Sequence, residues 1–272
     1  VSEWGGKPRV LASGWLIEGG NGTLFTAKHF TDVFMRNIVE LGANECKVFL
    51  DGKVYTCAIV RVPPSRDSSV LKIFDKFNSA ELPKPYKISA GKVGIGDKIF
   101  IQGFHPHPSG ITKSNLKDGF LDLIVPVFKT FYGLRQADPD RQSEVVFDNL
   151  EGKRVKPEPE SIMTNLFLDD EQKKSALKHE NDSFVKVIMK RNHKFFFDGL
   201  SGGVALNEKG EAVGVVTAQD PFKFEYDKEG FFIDPEGNRI EVIRNRRQVF
   251  DTIYVTPIES IMDLYDYARQ TR

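Results

Sequence analysis

Cysteine is scarce: the chain has 272 residues and only 2 cysteines, which excludes a disulfide-framework fold. Cys46 and Cys57 lie symmetrically about an Asp51-Gly52 turn signal. A two-residue hairpin there sets them opposite each other at a hydrogen-bonded pair, where side chains stand further apart. Two free or buried thiols are therefore expected rather than a bridge. Excess charge is missing too: Lys+Arg and Asp+Glu are both 38, so no global field steers the chain to nucleic acid or a membrane surface. Nor is there an apolar run near the ~20 residues needed to span a bilayer. No signal peptide is visible. The chain opens on Val1 rather than methionine, which suggests a fragment or a processed chain and leaves its localisation unknown. Histidines number 5, and only His105-Pro106-His107 pairs two of them closely. No cysteine or carboxylate cluster stands beside that pair, so neither a metal nor a cofactor is expected.

What is present is strand-like alternation. Val48 to Val62, Val70 to Phe74, Lys98 to Phe104, Phe120 to Thr130, Phe184 to Met189, Gly203 to Leu206 and Ala212 to Ala218 read as strands. Turn signals at Asp51-Gly52, Gly94 to Asp97, Pro106 to Gly110 and Glu208 to Gly210 separate them. Many short strands with regular turns predict an all-β sandwich or barrel. Residues 136–182 are charged and proline-bearing, with a short helix expected over Leu168 to Lys178. They read as an insertion, a surface loop that is either decorative or regulatory. Pro221 to Val249 reads as an extra hairpin, with turns at Tyr226 to Gly230 and Asp234 to Asn238. Pro257 to Arg272 has a helical apolar face of Ile258, Ile261, Met262, Leu264, Tyr265 and Tyr267.

The chemistry-bearing stretch is Asp198-Gly199-Leu200-Ser201-Gly202-Gly203. A serine hydroxyl becomes nucleophilic when a tight turn exposes it, backbone N–H groups face the developing oxyanion, and a histidine takes its proton. The histidine candidate is His29, after a strand–turn–strand from Gly14 to Thr26. A carboxylate should fix its tautomer. Asp67, just ahead of an alternating strand, is the best candidate. Its rivals are Asp32, too close to His29 in sequence, and Asp75, which follows the strand.

His29 in T-A-x-H, Asp67 in D-x-x-V-L-K-I and Ser201 in G-x-S-G-G resemble, in that order, the trypsin-like serine proteases. S-G-W-L-I-x-G-x-x-G-T-L-F-T-A-K-H, the Lys47 to Ile59 hairpin and Asn207 to Val215 resemble the HtrA (Deg) protease domain in particular, without a PDZ domain. The likeness runs in pieces over residues 10–135 and 183–268. The low cysteine count fits an HtrA-like or intracellular origin better than an extracellular one.

The resemblance implies two six-stranded antiparallel β-barrels with the active site between them and a C-terminal helix. As a single peptidase domain, residues 8–103 would form the N-terminal barrel, 119–256 the C-terminal barrel with the 136–182 insertion, and 257–272 the helix. A linker near 103–119 would join the barrels. It also implies a serine endopeptidase with His29, Asp67 and Ser201 catalytic. Gly199 and Ser201 would donate to the oxyanion, and Phe195, Phe196, Val216, Thr217 and Ala218 would line the substrate pocket. That pocket holds no acid and favours an uncharged residue, although Phe195 to Phe197 also suits barrel core. Partners would be a protein or peptide substrate, with a regulatory partner or oligomerisation left open. The alternative is a catalytically silent peptide-binding module of the same fold. Leu200 stands where trypsin-like zymogens carry the acid that pairs with a new N-terminus, so that switch is not expected. Lys28, beside His29, is expected to turn to solvent.

Overall fold

The computed structural model describes residues 2–4, 7–9, 12–32, 35, 46–50, 53–63, 66–108, 143–156, 169–193, 199–219, 224–233, 235, 237, 239–248 and 250–270. Strands dominate. A small ribbon pairs β1 (Ser2–Trp4) with β2 (Lys7–Arg9). The first large sheet holds β3 (Gly14–Leu16), β4 (Thr23–Thr26), β5 (Cys46–Leu50), β6 (Lys53–Arg61) and β7 (Ser69–Ile73). Its order is β3-β4-β7-β6-β5, antiparallel throughout. The β3–β4 turn needs left-handed backbone at Gly19 (φ 74), Asn21 (φ 44) and Gly22 (φ 78), which a Gly- and Asn-rich sequence tolerates.

A closed barrel follows: β8 (Lys98–Pro108), β9 (Ser143–Val155), β10 (Val185–His193), β11 (Val204–Leu206), β12 (Ala212–Gln219) and β15 (Phe250–Pro257), in the order β10-β15-β12-β11-β8-β9. Its core packs Ile99, Ile101, Leu150, Val187, Leu200, Val216, Ile253 and Val255. The hairpin expected over 221–249 is present as β13 (Phe224–Ile233) with β14 (Arg239–Gln248). Tyr226 to Gly230 is strand rather than turn, and the register shifts there instead.

Three expectations change. The segment 136–182 is not all insertion, because β9 pairs with β8 from Lys98↔Lys153 to Pro108↔Ser143 and forms barrel wall. Its apolar pattern is interrupted by Asp148, Asn149, Glu151 and Gly152, which masked it. Gly152 is required where it stands: a Cβ there would lie 2.6 Å from Met189 Cε and 2.7 Å from Ile188 O. Strand β8 also runs through the expected linker, so the barrel starts by Lys98. The helix α1 (Asp170–Ser183) begins later than expected. A capping box sets its start, with Gln172 N donating to Asp169 Oδ1 at 2.8 Å and Asp169 N to Gln172 Oε1 at 3.0 Å. The strand expected over 120–130 lies outside the described residues.

The chain ends in a 3₁₀ turn (Ile258–Ile261) and helix α2 (Met262–Gln270). Ile258, Ile261 and Leu264 are buried together with Trp15 and Phe25 of the first sheet and Val204 and Val215 of the barrel. The helix thus joins a cluster fed by both β units. Met262 faces outward, because the 3₁₀ turn offsets the helical face by its tighter winding. An Arg66–Asp263 ion pair and the Arg61 guanidinium, 4.9 Å from the Tyr267 ring centre, tie α2 to the first sheet.

Cys46 and Cys57 sit directly opposite each other, as free thiols. Cys57 Sγ donates to the Cys46 carbonyl at 3.4 Å. The Cys46 hydrogen bond and burial push the Cys57 thiol well above the ordinary range.

Candidate active site

Strand pairing brings His29 to Asp67. β4 and β7 are antiparallel with Thr26 opposite Ser69, so the residues just past one strand meet those just before the other. After β4 the chain turns into a short helical stretch over residues 28–32. Thr31 pins that stretch: its hydroxyl donates to Lys28 O at 2.7 Å and lies 2.9 Å from Ser69 Oγ. Asp67 then binds His29 twice. Oδ1 accepts the His29 backbone N–H at 2.8 Å, and Oδ2 lies 2.8 Å from Nδ1. A carboxylate at Nδ1 favours the proton there and leaves Nε2 as the acceptor. The His29 side chain is 49% exposed and Asp67 24%, so the pair opens to solvent.

The rival carboxylates are engaged elsewhere. Asp32 binds Lys28 Nζ at 2.9 Å, which also draws the Lys28 ammonium along the helical turn. Asp75 accepts the Thr56 backbone N–H at the far end of β7.

Ser201 comes from the barrel, on the turn ahead of β11. Gly199 (φ 89) and Gly202 (φ 85) adopt left-handed backbone, which explains the glycines. Gly202 N donates to Val216 O at 2.7 Å, Gly203 N to Leu200 O at 2.8 Å and Val216 N to Gly203 O at 2.8 Å. The turn is therefore laced to β12. Leu200 points inward and is fully buried in the barrel core. The turn also touches the first sheet: a Cβ on Gly202 would collide with Ser13 O, lie 2.5 Å from Thr26 Oγ1 and 2.8 Å from Ala27 N.

Ser201 Oγ donates to Thr217 O at 3.4 Å. Among the described residues, no hydrogen bond joins it to His29. The structure thus pairs His29 with Asp67 but leaves Ser201 turned toward β12. Of the expected pocket, Phe195 and Phe196 lie outside the described residues. Val216 is in the barrel core, and the Thr217 hydroxyl lies 2.7 Å from Thr256 Oγ1. Ala218 is exposed.

Sequence reasoning missed Ser13. Its N–H donates to Ser201 O at 2.8 Å, and its hydroxyl donates to Gly199 O at 2.7 Å. The only signal was its place between two small residues at the start of β3. Among the described residues, no cluster of His, Cys, Asp and Glu could hold a metal, and no helix is long and apolar enough to cross a membrane.

No family model and no curated protein matches the chain. Solved structures do. One is an inactive-form serine-to-alanine mutant of Rv3671c from M. tuberculosis, 12% identical, covering 96% of this chain and 82% of that one, with a TM-score of 0.43. A second is the Rv3671c protease, also in an inactive form, at 13% identity, 93% and 81% coverage and a TM-score of 0.41. A third is the HtrA-type protease AlgW with a decapeptide, at 15% identity and a TM-score of 0.47. The match to AlgW covers 96% of this chain and 52% of that one. A closed six-strand antiparallel barrel, a second antiparallel sheet and a short C-terminal helix packed on both make this the architecture of the chymotrypsin fold.

Proposed function

We propose that the chain is a serine endopeptidase acting on protein or peptide substrates. Ser201 Oγ attacks the peptide carbonyl, and His29 Nε2 takes the hydroxyl proton. His29 then returns that proton to the leaving amine, and water hydrolyses the acyl-enzyme. Asp67 holds the ring and stabilises the imidazolium. The N–H groups of Gly199 and Ser201 receive the oxyanion.

The observation that carries this reading is the pair of hydrogen bonds that Asp67 accepts from His29. A histidine gripped at backbone and Nδ1 has its ring plane and tautomer set, with Nε2 left to work. Before reaction, Ser201 Oγ has to leave Thr217 O and reach Nε2. The test is labelling by a fluorophosphonate probe, with the modified residue identified by peptide mass spectrometry. Labelling at Ser201, lost in Ser201→Ala, supports the reading. A folded protein that never labels overturns it.

One observation favours the rival, a silent peptide-binding module: Ser201 and His29 are not hydrogen-bonded. Peptide binding by a folded protein that resists the probe would select that reading.

A further inference from the structure

Ser13 immediately precedes β3 of the first sheet, the sheet that leads to His29, yet its polar groups reach the serine turn. Its backbone N–H holds Ser201 O at 2.8 Å. Its hydroxyl accepts the Phe104 N–H at 2.7 Å and donates to Gly199 O at 2.7 Å. Phe104 O, at 3.2 Å, is the more distant acceptor for the same proton. Its own carbonyl accepts Thr26 Oγ1 at 2.7 Å, on the strand that runs on to His29. The side chain is buried, at 4% exposure. One small residue therefore binds the serine turn at both ends of Gly199-Leu200-Ser201 and the histidine strand as well.

We infer that Ser13 is a positioning residue for hydrolysis. Its hydroxyl locks the Gly199–Leu200 peptide and so holds in place the Gly199 Cα from which the proposed oxyanion donor projects. The inference rests on the protease reading above. Gly199 has no side chain and a φ of 89, so the peptides on either side of it rotate at little cost unless something outside the turn holds them. The Leu200 side chain offers no polar anchor, being buried among aliphatic side chains. The Gly199 carbonyl meets its hydrogen bond across the seam, at Ser13. With that carbonyl fixed, the Gly199–Leu200 peptide cannot flip and the Gly199 Cα keeps its place, so the N–H attached beyond Cα starts from one position, with φ alone left to set its direction. An oxyanion donor only helps when it is already aimed.

The experiment compares wild type with Ser13→Ala, using the inactivation constants of a fluorophosphonate probe. The alanine is smaller than serine, so it adds no clash; circular dichroism and the melting curve check the fold. A misaimed donor slows bond formation while leaving probe binding intact. The expected result is a fall in kinact of about tenfold to hundredfold with KI little changed. A second readout needs no activity. In 15N-labelled Ser201→Ala protein, adding Ser13→Ala should move the Gly199 and Leu200 amide resonances and speed their hydrogen exchange. An unchanged kinact, or amide resonances that stay in place, overturns the role of Ser13. If folded wild type does not label at all, the protease reading falls, and the amide measurement alone decides whether Ser13 holds the turn.

Discussion

Asp67 holds His29 through both carboxylate oxygens, one on the backbone N–H and one on Nδ1, each at 2.8 Å. The two bonds do different things. The first fixes where the histidine sits, and the second fixes which ring nitrogen carries the proton. Asp67→Asn keeps the shape and one acceptor but presents an amide to Nδ1, favouring the wrong tautomer. Its kcat should fall roughly 10⁴-fold with KM little changed. Steady-state kinetics on a peptide substrate check this, and a variant that keeps most of its kcat would remove Asp67 from the mechanism.

Ser201→Ala should leave the melting temperature close to that of wild type, because among the described residues Oγ makes only a 3.4 Å hydrogen bond, to Thr217 O. It should abolish probe labelling and peptide hydrolysis together. A large loss of stability would mean that the hydroxyl supports the turn rather than the reaction.

Leu200 tests how the turn is held from below. Leu200→Ala removes a fully buried side chain from the barrel core and should cost about 2–5 kcal/mol. Leu200→Asp puts a charge into the same site, where the described neighbours are aliphatic, and should cost more. Chemical denaturation measures both. An aspartate variant as stable as wild type would show an unrecognised cationic partner.

Gly202→Ala places a methyl group against Ser13 O and Thr26 Oγ1 and asks a non-glycine residue to hold φ 85. The turn has to shift off the first sheet. Loss of activity of about a hundredfold is expected, since displacements near 1 Å cost that much in positioned catalysis. Labelling rate and a melting curve separate misplacement from unfolding.

The Cys57 thiol predicts a pH dependence of stability. The Cys46 hydrogen bond and burial raise its pKa in the fold above the ordinary 9.0. The folded state then keeps a proton that the unfolded chain releases. Stability is therefore fully present below the unfolded-state pKa and is lost as pH rises above it. Denaturation midpoints should fall between pH 8 and 10.5, and Cys57→Ala should flatten that decline. A wild-type slope unchanged by the substitution would place the effect elsewhere.

The His29–Asp67 pairing was legible because the candidate residues sit at strand ends. His29, Asp67 and Ser201 each border a short alternating segment, and alternation is visible without structure. The β3–β4 turn was equally legible in its glycines. Strand β9 was not, because Asp148, Asn149 and Gly152 break its apolar pattern, and its pairing with β8 depends on residues far away in sequence. Ser13 stayed hidden for a related reason. Its importance comes from the Gly199 carbonyl 186 positions further on, and a lone serine carries no pattern. The parked hydroxyl of Ser201 is a rotamer, which residue identity does not encode.

The seam at Ser13 has a mechanical consequence. Each β unit has its own buried cluster, while the proposed reaction draws His29 from one and Ser201 from the other. A shared apolar cluster holds these halves together, while a few polar bonds at Ser13 and the missing side chain of Gly202 set the register of the serine turn against the histidine strand. Mild loosening, by low urea or gentle heat, would disturb the few bonds at Ser13 before it opens the shared apolar cluster or unpairs any strand. Turnover would then vanish before the circular dichroism of the sheets changes, making activity the more sensitive gauge of the protein's integrity.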